Sequence, residues 1–202
     1  MKRFLALCLA LAAPAAALAQ ATSWNVDPAH SNASFTVRHL VISTVRGEFQ
    51  KMSGAVKLDE KDVTKSTVEA TIETASIDTR VPDRDKHLKS PDFLDVEKYP
   101  TIAFKSTKVE SAGAGKLKVT GDLTMHGVTK PVVLAVDGPT AEIKDPWGNT
   151  RRGLSASTTL NRRDWGLTWG KVVDAGPVVG DEVKIEIEAE LIKAAGDKTA
   201  GK

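Results

Sequence analysis

The sequence predicts an all-β, single-domain protein of eight antiparallel strands with one short helical interruption. Three observations carry this. Apolar and polar residues alternate with period two through most of the chain, the mark of strands with one wetted face. Turn residues punctuate the alternating runs. Only two segments, 81–100 and 162–180, break the rhythm. Many one-sided antiparallel strands in a single domain leave two solutions, a sandwich or a closed barrel.

The elements follow in chain order. Lys2 and Arg3 precede the apolar run "FLALCLALAAPAAALA", and Ala17-Leu18-Ala19 is an A-x-A cleavage site. Residues 1–19 therefore read as a secretory signal peptide, too short for an easy membrane span. The only cysteine, Cys8, lies in this segment, so the mature chain has no disulfide, no thiolate nucleophile and no Cys metal ligand. A chain of about 180 residues must then be held by its own core, and that length suffices for one domain over 20–193.

Strands are expected over 33–41, 45–58, 67–78, 100–110, 116–126, 131–143, 151–161 and 182–192. In "VKIEIEAELI", Val183, Ile185, Ile187, Ala189 and Leu191 face inward while the charged residues between them face water. "KLKVTGDLTM" repeats the pattern. Gly113-Ala114-Gly115 and Asp145-Pro146-Trp147-Gly148 supply turns, the latter with Pro and Gly where a type I turn wants them. A short helical segment is expected at about 83–95, with Asp83 capping its first turn and Ser90-Pro91 opening a second. Residues 194–202 read as a flexible tail.

Charge excludes some functions. Lys and Arg number 28 against 26 Asp and Glu, and the signal peptide removes two of the cations. No basic stripe favours nucleic acid, and no later apolar run approaches a membrane helix. The acidic residues of the helical segment are interspersed with Arg84, Lys86 and Lys89, as on a balanced surface and unlike a catalytic carboxylate pair. No G-x-S-x-G elbow occurs. The four histidines, His30, His39, His87 and His126, show no ligand spacing, so neither a metal nor another cofactor is expected.

Alternation aims Phe35, Val37, Phe49, Ile72, Ile102, Phe104, Leu117, Val119, Leu123, Leu134, Leu154, Val183, Ile185 and Ile187 inward. Small inward residues such as Gly47, Gly121 and Ala156 leave room for a ligand or let strands cross closely. Trp165 and Trp169 line a cavity entrance or pack as a cap. "NRRD" (161–164) is an anion site or a loop salt bridge. His39 shares a face with Phe35 and Val37. It is a satisfied core histidine, a residue turned outward by a bulge near Ser43, or, with Arg38 or Arg46, a polar handle at one end of an apolar cavity.

Five stretches in order carry a wider likeness: "DPAHSNASFTVRHLVISTVRGEF" (27–49), "KHLKSPDFLDVEKYPTIAF" (86–104), "VTGDLTMHGVTKPVVL" (119–134), "NRRDWGLTWG" (161–170) and "VGDEVKIEIEAEL" (179–191). Together they resemble the YceI-like family over about residues 22–193. The resemblance implies an eight-stranded lipocalin-like barrel in the bacterial periplasm or a secreted one. It implies a long internal pocket for a polyisoprenoid, a prenylated quinone or a similar amphiphilic chain, held for transport, storage or sequestration, and no catalytic residues. A homodimer is left open. The competing expectations are an isoprenoid- or quinone-modifying enzyme using His39 and its arginines, and a filled barrel serving as a structural or interaction module.

Overall fold

The computed structural model describes residues 21–174 and 176–195. The signal peptide expected over 1–19 and the tail from 196 onward lie outside the described residues. The rest forms a closed antiparallel barrel of eight staves.

The first stave is β1 (Thr22–Val26) continued by β2 (Asn32–His39). The second is β3 (Ser43–Phe49) continued by β4 (Met52–Leu58), and the third is β5 (Thr67–Glu73) continued by β6 (Ile77–Asp78). Helix α1 (Pro82–Lys89) follows. The next three staves are β7 (Thr101–Gly113), β8 (Lys116–Met125) and β9 (Val128–Asp137). A short strand, β10 (Ile143–Lys144), precedes the seventh stave, β11 (Thr150–Asn161). A two-stranded ribbon of β12 (Val172–Val173) and β13 (Gly176–Pro177) precedes the last, β14 (Val179–Lys193). β14 closes the barrel. One of its edges pairs with β11 from Arg151↔Ile192 to Asn161↔Glu182. Its other edge pairs with β1 and then β2. Closure satisfies backbone groups that an open sheet would leave at its edges.

Two ends can be distinguished. The hairpin end carries the β2–β3 turn, α1, the β8–β9 turn and the segment leading from β11 to β14. The terminal end carries Thr22, Lys193 and the β10 strand.

The structure corrects several expected boundaries. The first stave begins at Thr22, ahead of the expected residue 33; Trp24 is completely buried there against Val56, Leu58 and Leu191, and its indole N–H donates to Thr22 Oγ1 at 2.8 Å. The expected strand 67–78 is broken by a 3-10 turn over Thr74–Ser76. The expected strand 131–143 is instead Val128–Asp137, because the chain leaves the sheet at Gly138-Pro139, where Pro139 has no N–H for a ladder. Pro131 is tolerated inside β9 because β11 pairs only with residues 135–137, leaving that edge of Pro131 outside the ladder. Asp83 does not cap α1. Val81 occupies the N-cap position, Pro82 follows it, and Asp85 instead accepts from the Thr79 N–H at 2.9 Å, tying the helix to β6. Ser90 ends α1, and the residues after Pro91 form turns where a second helical stretch was expected.

Candidate apolar cavity

Alternation places one side chain in two of each stave inside the barrel. The inner faces enclose a cavity of about 300 Å³. Its wall holds Phe35, Val37, Phe49, Ile72, Ile102, Phe104, Leu117, Val119, Leu123, Leu134, Leu154, Val183, Ile185 and Ile187, all aimed inward by the sequence pattern. At about 3.3 Å per residue and a strand tilt of about 40°, and allowing for the irregularity between Val179 and Val183, the β14 wall from Val179 to Leu191 spans roughly 25 Å of barrel axis. The cavity is therefore long and narrow. Leu88, Phe93 and Leu94 from the segment around α1 complete the wall. They are apolar residues in an otherwise charged segment, and that contrast is the signal the sequence offers for a buried face.

Two glycines shape the bore. A Cβ on Gly47 would stand 2.4 Å from Phe35 Cζ, and one on Gly121 would stand 2.4 Å from Phe104 Cζ. Each ring thus reaches over a glycine. The small inner residues accommodate aromatic rings against the wall, which spares the lumen.

Polar groups on the wall are few. Ser34 Oγ donates to the Glu186 carbonyl at 3.2 Å, and Ser66 Oγ accepts from the Asp59 N–H at 3.0 Å. Thr158 brings a hydroxyl with no protein partner among the described residues. Arg162 is 4% exposed. Burial lowers its pKa, opposed by the Asp181 carboxylate. Its five N–H groups all have acceptors: the carbonyls of Gly180, Leu167, Trp169 and Val179, and Asp181 Oδ1. It fixes the segment between β11 and β14 and has no donor left for a ligand. Arg163 Nε also donates to Asp181 Oδ1, at 2.7 Å, so the "NRRD" stretch makes a loop salt bridge.

The expected polar handle and the tryptophan entrance are not on the wall. The β2–β3 register runs unbroken from Ala33↔Phe49 to His39↔Ser43, so no bulge reverses His39. His39 stands at the last pair before the turn, level with Val179 of the wall, but is not itself a lining residue. Arg38 and Arg46 occupy the outer face, since their neighbours Val37 and Val45 take the inner one. Trp165 is 3% exposed and packs outside the lumen, its indole N–H donating to the Leu123 carbonyl at 3.1 Å. Trp169 packs against His87 and Phe93, with ring centroids 5.0 Å apart in each pair. It braces a wall residue from behind.

Among the described residues, Asp27, His30 and Glu190 bring three ligand-type atoms together. Arg151 Nη1 already lies 2.6 Å from Asp27 Oδ2 and 2.8 Å from Glu190 Oε2. The guanidinium stands where a cation would.

Comparison with known proteins agrees with this architecture. A family model described as the YceI-like domain matches residues 24–191. A UPF0312 protein of Vibrio parahaemolyticus is 39% identical over 187 residues, covering 92% of this chain and 93% of its own. A UPF0312 protein of Ectopseudomonas mendocina is 41% identical over 164 residues, covering 81% and 83%. The crystal structure of Burkholderia cenocepacia BcnA superposes with a TM-score of 0.71 at 25% identity, over 82% of this chain and 98% of that one. A polyisoprenoid binding domain from Saccharophagus degradans, at 14% identity and a TM-score of 0.63 over 86% of this chain and 99% of that one, shares the fold.

Proposed function

This chain belongs to the YceI-like family, and from that premise we propose that it is a binding protein holding one long apolar chain, of the isoprenoid kind, inside its barrel. The observation that carries this is the cavity wall: apolar residues contributed by every stave along the barrel, with one uncommitted hydroxyl and no uncommitted charge. Such a wall recognises hydrocarbon. At about 25 cal/mol per Å², burial of about 400 Å² of apolar ligand surface contributes roughly 10 kcal/mol before the costs of association and ordering. The name of the Saccharophagus relative supports the ligand class. The apolar run before Ala19 supports export, so the carrier acts in the periplasm or outside the cell, moving, storing or sequestering its ligand.

The test is uptake. Purified protein is offered a prenyl alcohol, a prenylated quinone and a plain alkane of similar length, and the complex is counted by native mass spectrometry. One molecule per barrel is expected for each. Ile185→Asp, with folding checked by circular dichroism, should lose all three, because the charged carboxylate would face a lumen without a partner. Failure of the wild type to retain any of them contradicts the reading.

A further inference from the structure

We propose that the hairpin end of the barrel is a docking face for an anionic phospholipid bilayer, across which an apolar chain passes between membrane and cavity without crossing water. This rests on the cavity reading above and adds a surface to it.

Four aliphatic side chains stand out at this end. Val41 and Ile42 at the β2–β3 tip are 51% and 78% exposed, and Val172 and Val173 on the β12–β13 ribbon are 81% and 44% exposed. The two tips adjoin. The Leu40 N–H donates to the Val178 carbonyl at 2.9 Å, and a Cβ on Gly176 would stand 3.1 Å from Val41 Cγ2. The tip is held in a costly shape. Leu40 and Val41 have φ of 50° and 63°, a region that a branched residue such as valine rarely enters. Arg38 secures it, its guanidinium donating to the Val41 carbonyl and, at 3.1 Å, to Thr44 Oγ1. A turn free to choose would not keep two aliphatic residues left-handed with Ile42 in water.

The surrounding charge selects the partner. Arg38, Arg46 and Lys171 border the tips, and none has an ion-pair partner among the described residues; Asp174 is the carboxylate at the ribbon turn. Aliphatic tips beside three unpaired cations and one carboxylate suit insertion among anionic headgroups. They are too small for the roughly 800 Å² per partner that a stable protein interface buries. The face is also continuous with the lumen: on the cavity wall, Val37 directly precedes Arg38, and Val179 directly follows Val178, whose carbonyl accepts from Leu40. At the terminal end Trp147, 80% exposed, stands on the turn beside Asp145, whose carboxylate accepts its N–H.

The experiment is co-sedimentation with vesicles of phosphatidylcholine alone or mixed with phosphatidylglycerol, run beside loading of a prenyl alcohol from detergent micelles. The wild type is expected to bind the anionic vesicles, less as salt rises. The pair Ile42→Asp with Val172→Asp should reduce the partition coefficient at least tenfold with melting temperature and micelle loading unchanged. Arg46→Glu with Lys171→Glu should weaken it similarly, and Trp147→Ala should leave it unchanged. The proposal is overturned if the wild type ignores anionic vesicles, if the aspartate pair binds as well as the wild type, or if Trp147→Ala is the variant that loses binding. Micelle loading without vesicle binding defeats the docking face and leaves the cavity reading standing. Vesicle binding without loading supports the face and defeats the cavity reading.

Discussion

Arg151 is 12% exposed and holds three carboxylates at the terminal end: Asp27, Glu190 and, at 2.8 Å through Nε, Asp145. The Arg151 and His30 hydrogen bonds bring Asp27 down to about 2. Burial alone would raise Asp145, but donors from Arg151, Asn149 and the Trp147 and Asn149 backbone outweigh it and bring Asp145 to about 2 as well. Both values lie below the ordinary 3.8, so the folded state favours the charged carboxylates. Their stabilisation is complete above the ordinary carboxyl value and is lost as pH falls through about 2. Melting temperature should therefore drop between pH 4 and pH 2, and Arg151→Met should lower it at neutral pH while flattening that acid limb. Thermal melts from pH 2 to 7 check both. Inside the cavity the residue to test is Thr158. Thr158→Val should weaken a prenyl alcohol or quinone by about threefold to tenfold, the 0.5–1.5 kcal/mol of one neutral hydrogen bond, and leave a plain alkane unchanged. His39→Ala should change none of these affinities, since His39 lies off the wall. The choice among the three readings of His39 was not legible in the sequence, because period two fixes a side chain's face but not which residues of that face line the cavity. The burial of Arg162 within the "NRRD" stretch was not legible, because a buried arginine and a surface one look alike in a charged stretch; its acceptors come from a loop that alternation does not describe.

At the scale of elements, β8 and β14 were legible almost residue by residue, because one face is wetted and the other is not. Leu117, Val119, Leu123 and Met125 alternate onto the wall, as do Val183 through Leu191. The first stave was half missed: β1 is short, the turn after Val26 interrupts its alternation, and its pairing with β4 and β14 is long-range. The glycine-backed phenylalanines set how far the bore can be narrowed. A Cβ at Gly121 would meet the Lys105 carbonyl at 2.5 Å as well as Phe104, so Gly121→Ala forces backbone apart. Overpacking of this kind costs about 1–3 kcal/mol, a fall in melting temperature of about 3–10 °C for a domain of this size. At Gly47 the nearest obstacle is the tip of the Phe35 ring, followed by Thr79 Cγ2 at 2.8 Å. Gly47→Ala should push Phe35 toward the lumen and weaken the longest ligands most, readable by competing short and long prenyl chains on the same folded variant.

For the whole molecule, closure through β14 decides what the protein can do. A sandwich of the same strands would press its inner faces together, whereas the barrel keeps Phe35, Leu134, Leu154 and Ile185 facing across a bore. The alternation left sandwich and barrel open, since both bury one face; the pairing that separates them, β14 with β1 and β2, joins the last stave to the first, and alternation carries no signal of so distant a partner. The central claim is that this bore holds one apolar chain. It is tested most directly by purifying the protein from its host without detergent, extracting it with organic solvent and quantifying the lipid by mass spectrometry against protein. About one isoprenoid-type or comparably long apolar chain per barrel is expected, absent from the Ile185→Asp variant. A wild-type extract free of such lipid, from protein that also refuses prenyl chains offered in excess, would contradict it.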